Sequence, residues 1–477
     1  MNNKLNFKNI ILLLFIAVIF TVTAVRAAIT NITYDEAFTY THYSLPLNMF
    51  IKSGFSLNEF LKNFRKVRGE SNININAEKP EVMQGEAEVP KDLSQRLDEK
   101  FTKIGLYGMS YWNKINTLLN YVVANNHILN TLSISLVEFL FGTHYDEFAI
   151  RLPVLLFFAA YLFAVYICCK KSIISFTCAV LLLSNYYLCE YYGLARGYGM
   201  AHTLLFLACI AYILWRKSNF SANKFLIASM ALLLLAASAN TIVLLIFPAF
   251  GALMLFRLYK NNNLKKFILS HKFFVSLFFI IAFALTGYHF LITASGKPMP
   301  SSADSFYNDL IMSYAKMFIN SNILAANILA GAVLFFAAAA FLFLIIKNYY
   351  KTCDFVFMLI IFAFTNILMQ FLMHKGYMID RVAVTFYSFI IISLNELFRS
   401  AIKFNIKKAA LAICCLCLIS FIAQIDVHST RDFNDNYHCR EKILRAYMTG
   451  EQYIPEDNIW AVEKFYDDKY AEMINRN

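Results

Sequence analysis

Apolar runs of near-membrane length recur along the whole of this chain, and nothing else constrains its fold as strongly. They cover about residues 9–25, 152–168, 173–188, 200–215, 225–239, 242–256, 273–292, 323–346, 355–373, 382–398 and 409–423. A helix needs roughly 20 apolar residues to cross a bilayer. In lipid, every backbone N–H and C=O must be paired within the structure, so runs of this kind become helices. The composition agrees. Of 477 residues, 59% are hydrophobic and 16% are charged, with a mean hydropathy of +0.53. The expected fold is an all-α polytopic membrane protein with about eleven transmembrane helices. The runs at 225–239 and 242–256 are short and broken around Asn240, so they form either a hairpin or one long tilted helix.

Loop charge sets the expected orientation. The net charge is +12, but the cations sit in short loops. With the N-terminus in the cytoplasm, the inner loops hold Lys170-Lys171, Arg216-Lys217 with Lys224, Arg257 to Lys272, Lys347 with Lys351, and Arg399 to Lys408. That is the positive-inside pattern, not a nucleic-acid patch. The first run follows Lys4 and Lys8 and is read as a retained span; Arg26 stands where a signal peptidase would need a small residue. Four regions follow: a first transmembrane helix at 1–28, a first outside loop at 29–150, a transmembrane bundle at 151–423 and an outside tail at 424–477. Within the loop, 68–100 is polar and reads as a flexible insertion. Residues 101–140 turn apolar again and read as one or two amphipathic helices on the membrane face. The tail reads as a small soluble cap. The ten cysteines lack metal-ligand spacing and mostly lie in apolar runs. P-loop, nucleophile-elbow and His-Glu-x-x-His patterns are absent from the sequence.

The residues able to do chemistry sit at the expected outer ends of spans. Asp35 and Glu36 follow the first run, after Tyr34. A carboxylate there is either solvated or serves as a general base or metal ligand. Arg151, Arg196 and Arg381 run against the positive-inside bias. Each is read either as a snorkelling or ion-paired side chain, with Glu147 or Asp380 as partner, or as part of an anion site. Arginine forks bind phosphate bidentately, which suits a phosphate leaving group. His127 with Asn126, then His374 and Lys375, are further outside polar groups.

The order of these pieces resembles the GT-C superfamily of membrane glycosyltransferases, in the branch with protein O-mannosyltransferases and lipid A aminoarabinose transferases. Asp35-Glu36-Ala37 matches the branch's acidic motif after the first span. Asn126-His127-Ile128-Leu129-Asn130 takes the place of its His-centred segment, without the following prolines. Phe141-Gly142 and Glu147-Phe148-Ala149-Ile150-Arg151-Leu152-Pro153 match a further segment closely. Leu194-Ala195-Arg196-Gly197-Tyr198-Gly199 matches an EAR-like segment in which Leu194 replaces the Glu; Glu190 or Glu147 could supply an acid instead. Arg381, between Tyr377 and Tyr387, matches a late outer arginine.

The resemblance implies transfer of a sugar from a polyprenyl-phosphate donor to a lipid, glycan or protein acceptor, with inversion, at the outer face of a bacterial cytoplasmic membrane. It implies Asp35 as base with Glu36 in support. Arg151, Arg196, Arg381 and Lys375 would hold the lipid phosphate. Tyr34, Asn126, His127, Glu147, Tyr198 and His374 would line the substrate. No cofactor is required, and a divalent metal at Asp35 is left open. Two rival readings stand beside it: a flippase for a lipid-linked glycan, and a non-catalytic membrane scaffold. A flippase predicts charges near mid-span, where these runs hold few.

Overall fold

The computed structural model describes residues 7–30, 32–40, 44, 127–142, 145–295, 353–373 and 383–401, and isolated positions between 339 and 470. The expected insertion at 68–100 and the runs at 323–346 and 409–423 lie wholly or mostly outside the described residues. The structure is 86% helical, with no strand among the described residues. Among the described residues, four helical segments are long and apolar enough to cross a membrane, or five if one bent pair forms a single span. The helical character agrees with expectation; the expected total of about eleven also counts runs that lie outside the described residues.

The chain opens with α1 (Phe7–Ile29), then a short α2 (Tyr34–Thr39). Next come α3 (Ile128–Phe141), α4 (Glu147–Lys170), α5 (Phe176–Leu183), α6 (Tyr186–Tyr192) and α7 (Gly197–Lys217). The single span expected at 173–188 is thus two short helices. Asn185 ends the run because its side chain accepts from the Tyr187 amide at 2.9 Å and starts α6 afresh. Then follow α8 (Asn223–Ala239), a 3-10 turn at Thr241–Ile246, α9 (Phe247–Lys260), α10 (Leu264–Ser270), α11 (Lys272–Ser295), α12 (Asp354–Met373) and α13 (Tyr387–Ala401).

At Asn240 the backbone is extended and the side chain accepts from the Ile242 amide, so the helix must stop there. Arg257, near the end of α9, lies 5.4 Å from the ring of Phe220, just ahead of α8. The α8 and α9 segments therefore form the hairpin, not one long helix.

The centre of the bundle is α7. Its 21 residues span about 31 Å at 1.5 Å per residue, the thickness of the hydrocarbon core. It packs against α3, α4, α8 and α13. Gly199 lets it sit close: a Cβ there would lie 2.7 Å from the Tyr192 ring and 3.1 Å from Val154. Inside the bundle, buried His202 is held on both ring nitrogens. Tyr192 Oη is 2.7 Å from Nδ1, and Ser388 Oγ is 2.6 Å from Nε2. This polar link ties α6, α7 and α13 together where water cannot satisfy the groups.

One end of the bundle is locked by acids set among basic loop ends. Arg257 pairs with Asp354, Arg216 pairs with Glu396, and Tyr212 Oη donates to Asp354 at 2.9 Å. Glu396 also accepts the Phe355 amide at 2.7 Å. These contacts bring the C-terminal ends of α7, α9 and α13 to the start of α12.

The Asp354 side chain is fully buried, so Asp354→Ala would leave Arg257 without its carboxylate in a low-dielectric site. The expected loss is about 3–5 kcal/mol of unfolding free energy, read by denaturant titration in detergent. A variant as stable as the parent would show that this lock contributes little.

Candidate functional site

The opposite end of the bundle is organised by the acidic turn. Thr33 is the N-cap of α2: its hydroxyl accepts from the Glu36 amide at 3.3 Å, while Glu36 Oε2 accepts from the Thr33 amide at 2.9 Å. This reciprocal box satisfies two amides that a helix start otherwise leaves open. It also turns the Glu36 carboxylate inward, toward α4.

There Glu36 meets Arg151 in a two-pronged pair. Arg151 Nε donates to Oε1 at 2.8 Å and Nη2 donates to Oε2 at 2.7 Å. Neither side chain has exposed surface. Oε1 also accepts the Ala195 amide at 2.6 Å, and Oε2 accepts the Thr33 hydroxyl at 3.1 Å. On the other side of the guanidinium, Arg151 Nη1 donates to the carbonyls of Ala27 at 3.0 Å and Thr30 at 2.7 Å. These are carbonyls that the end of α1 leaves without helical partners. One ion pair thus joins the end of α1, the start of α2, the first turn of α4 and the segment before α7. Burial pushes the Glu36 carboxyl upward. The Arg151 charge and the hydrogen bonds from Arg151, Ala195 and Thr33 outweigh it and hold the group below the ordinary value of 4.5.

The Ala195 peptide is gripped from both sides. Its amide donates to Glu36, and its carbonyl accepts from Asn130 Nδ2 of α3 at 3.0 Å. That fixes the direction of the next residue. Arg196 is the N-cap of α7 and is half-buried. Its Nη1 donates to Thr39 Oγ1 at 2.8 Å, in the last turn of α2. The guanidinium carbon lies 5.8 Å from the Tyr198 ring. Asp35 belongs to the same six-residue helix, four positions before Thr39; the side chains of Tyr34 and Asp35 lie outside the described residues.

His127 closes the floor. Its Nδ1 lies 3.0 Å from the carbonyl of Ala239. A carbonyl only accepts, so Nδ1 carries the proton. The ring meets Tyr198 edge-on at 5.0 Å. Gly197 is required here, because a Cβ would lie 1.9 Å from the Ala239 oxygen and 2.6 Å from His127 Nδ1.

Further contacts come from the tail. Glu147 pairs with Lys469. Tyr145 Oη donates to Asp468 Oδ2 at 3.3 Å, and the Ile32 amide donates to Tyr466 Oη at 3.0 Å. Tyr40 donates to buried Glu138. Burial, and then the Glu138 charge, push the Tyr40 phenol well above its ordinary value of 10.0.

The structure therefore gathers Glu36, Arg151, Arg196, His127 and Tyr198 around α2, with Glu147 nearby. Glu36 and Arg151, for which the resemblance implies a supporting acid and a phosphate ligand, have their polar atoms engaged with each other, with backbone and with the Thr33 and Thr30 hydroxyls. Asn126, His374, Lys375 and Arg381 lie outside the described residues. Asn130 was readable as part of the polar segment around His127, whereas Thr39, Tyr40 and Glu138 were not singled out by sequence. Thr33-x-x-Glu36 was readable, because it is the capping-box pattern. Among the described residues, no group of three or more His, Cys, Asp or Glu side chains could hold a metal ion. In comparison with known proteins, no family model, no curated protein and no solved structure matches this chain.

Two outcomes follow from the ion pair. Glu36→Gln leaves the Arg151 cation buried against a neutral group and should cost about 3–5 kcal/mol of unfolding free energy. Unchanged stability would remove the pair from its central place. The pH dependence has a definite sign. The folded state holds Glu36 below 4.5, so the unfolded chain takes up the proton first as pH falls. The stabilisation is complete above that value and is lost progressively below it. Melting curves between about pH 3 and pH 7 should show this acid loss, and Glu36→Gln should flatten it.

Proposed function

We propose that this chain is a membrane glycosyltransferase of the GT-C kind, moving a sugar from a polyprenyl-phosphate donor to an acceptor hydroxyl. The single observation that carries this reading is the joining of the acidic helix to Arg196. Glu36 takes the amide of Ala195, and the next residue, Arg196, reaches Thr39 of the helix that contains Asp35. This brings the half-buried guanidinium of Arg196, at the start of α7, against the helix whose sequence contains Asp35. The motif order along the sequence supports the same reading.

In the proposed reaction, Asp35 accepts the proton of the acceptor hydroxyl as its oxygen attacks the anomeric carbon. The bond from that carbon to the phosphate oxygen breaks, and the electron pair leaves with the polyprenyl phosphate. Negative charge grows on the phosphate, and a preorganised cation where charge develops lowers the barrier. Arg196 is the cation for that role among the described residues, with Arg381 and Lys375 as the expected further ones. Arg151 and Glu36 act one step back: they hold the Ala195 peptide and the start of α2. His127 and Tyr198 form the floor beneath Arg196.

The basic residues Lys170, Arg216, Lys217 and Lys260 fall at the helix ends away from α2. By the positive-inside rule this supports an outer-face position for the acidic helix. We place the chain in a bacterial cytoplasmic membrane on that basis and on the resemblance.

The test is transfer of a radiolabelled sugar from a polyprenyl-phosphate donor by the reconstituted protein. Asp35→Asn should lower turnover by about 10²–10⁴-fold, the usual worth of a general base. Arg196→Ala should weaken donor binding as well as turnover. Undiminished transfer by Asp35→Asn would remove it as base. Movement of the lipid across the vesicle without sugar release would favour a flippase.

A further inference from the structure

The residues that close over α2 come from the far end of the chain. Val462, Phe465 and Tyr466 have no exposed surface. They form one apolar cluster with Ile32, Ala37, Tyr40 and Tyr145. We propose that this C-terminal segment is a positioning element of the acidic site, with Tyr466 and Phe465 holding the two ends of α2 in place. The proposal rests on the reading of α2 as the catalytic helix.

Both ends of α2 are touched. At the start, the Ile32 amide precedes the N-cap Thr33 and is buried; Tyr466 Oη accepts it at 3.0 Å. Without that hydroxyl the amide would be a buried donor lacking this partner, which is costly. At the other end, Tyr40 is the C-cap of α2. The Phe465 ring stands edge-on to Tyr40 and to Tyr145, each at 5.5 Å. A helix of six residues is too short to persist by itself, so its geometry depends on what packs against it.

The segment is also tied down beside the ion pair. Lys469 pairs with Glu147, and Tyr145 donates to Asp468. Both anchors flank the first turn of α4, from which Arg151 reaches Glu36. The contact between Ile32 and Tyr466 joins residues 434 positions apart. It involves no covalent bond, so this part of the support for α2 lasts only while the tail is docked. Nothing about this role is visible from the tail's own sequence, since a tyrosine and a phenylalanine there look like ordinary packing.

The experiment uses the full-length protein in detergent or nanodiscs and two variants, Tyr466→Phe and Phe465→Ala. Hydrogen–deuterium exchange is followed at the Glu36 and Ala37 amides and, as reference, in α7. Tyr466→Phe removes one oxygen and no packing, so exchange in α2 should rise roughly tenfold with α7 unchanged. Turnover of the same variant should fall with the donor KM unaltered, a split that general destabilisation would not give. Unchanged exchange in α2 for both variants overturns the proposal. So does equal loosening of α2 and α7 in Tyr466→Phe. The exchange result does not depend on sugar transfer: absence of transfer by the parent protein would sink the glycosyltransferase reading and leave the tail's positioning role standing or falling by exchange.

Discussion

A carboxylate and a guanidinium, both removed from water, hold the acidic end of this protein together. Glu36 and Arg151 meet in parallel hydrogen bonds, and each then completes backbone groups on other elements. Two ions in a low-dielectric site must satisfy one another or the fold pays several kcal/mol for each. That requirement determines where α2 sits against α4, how α1 ends and how the Ala195 peptide is oriented. The placement of Asn130 and Arg196 on either side of that peptide follows from it.

The two ends of the bundle use the same physics for different results. At the basic end, Asp354 and Glu396 absorb the charges of Arg257 and Arg216 and close the ends of α7, α9 and α13 onto α12. At the other end the buried pair leaves Arg196 half-buried, with its guanidinium on Thr39 and near Tyr198.

This division of labour changes the meaning of adjacent acids. Asp35 and Glu36 are neighbours in sequence, but successive residues on a helix point in different directions. Glu36 is turned to the core by the capping box and by Arg151. A proton acceptor needs access to a substrate hydroxyl, which a fully enclosed carboxylate lacks. In the proposed function Asp35 is the proton acceptor, and Glu36 is the residue that sets its helix in place.

The apolar runs by themselves determined a helical membrane protein, because lipid offers no partner for an unpaired peptide group and only length and composition need to be read. They also placed the break at Asn240, where a side chain that competes for backbone amides interrupts an apolar run. The Thr33-x-x-Glu36 box was equally local and readable, because a capping box is a pattern of four consecutive residues. The split of the 173–188 run at Asn185 was local too, and is hidden by the hydropathy around it. Three-dimensional packing alone decided which arginine is enclosed and which is half-exposed. Arg151 and Arg196 have the same charge and similar places at helix starts. Their difference comes from Glu36, Ala27 and Thr30 on one side and Thr39 on the other, all far away in sequence. The docking of residues near 466 on α2 was beyond reading for the same reason: burial and hydrogen-bond partners are properties of the assembled surface, and no periodicity in a segment records what will lie across from it.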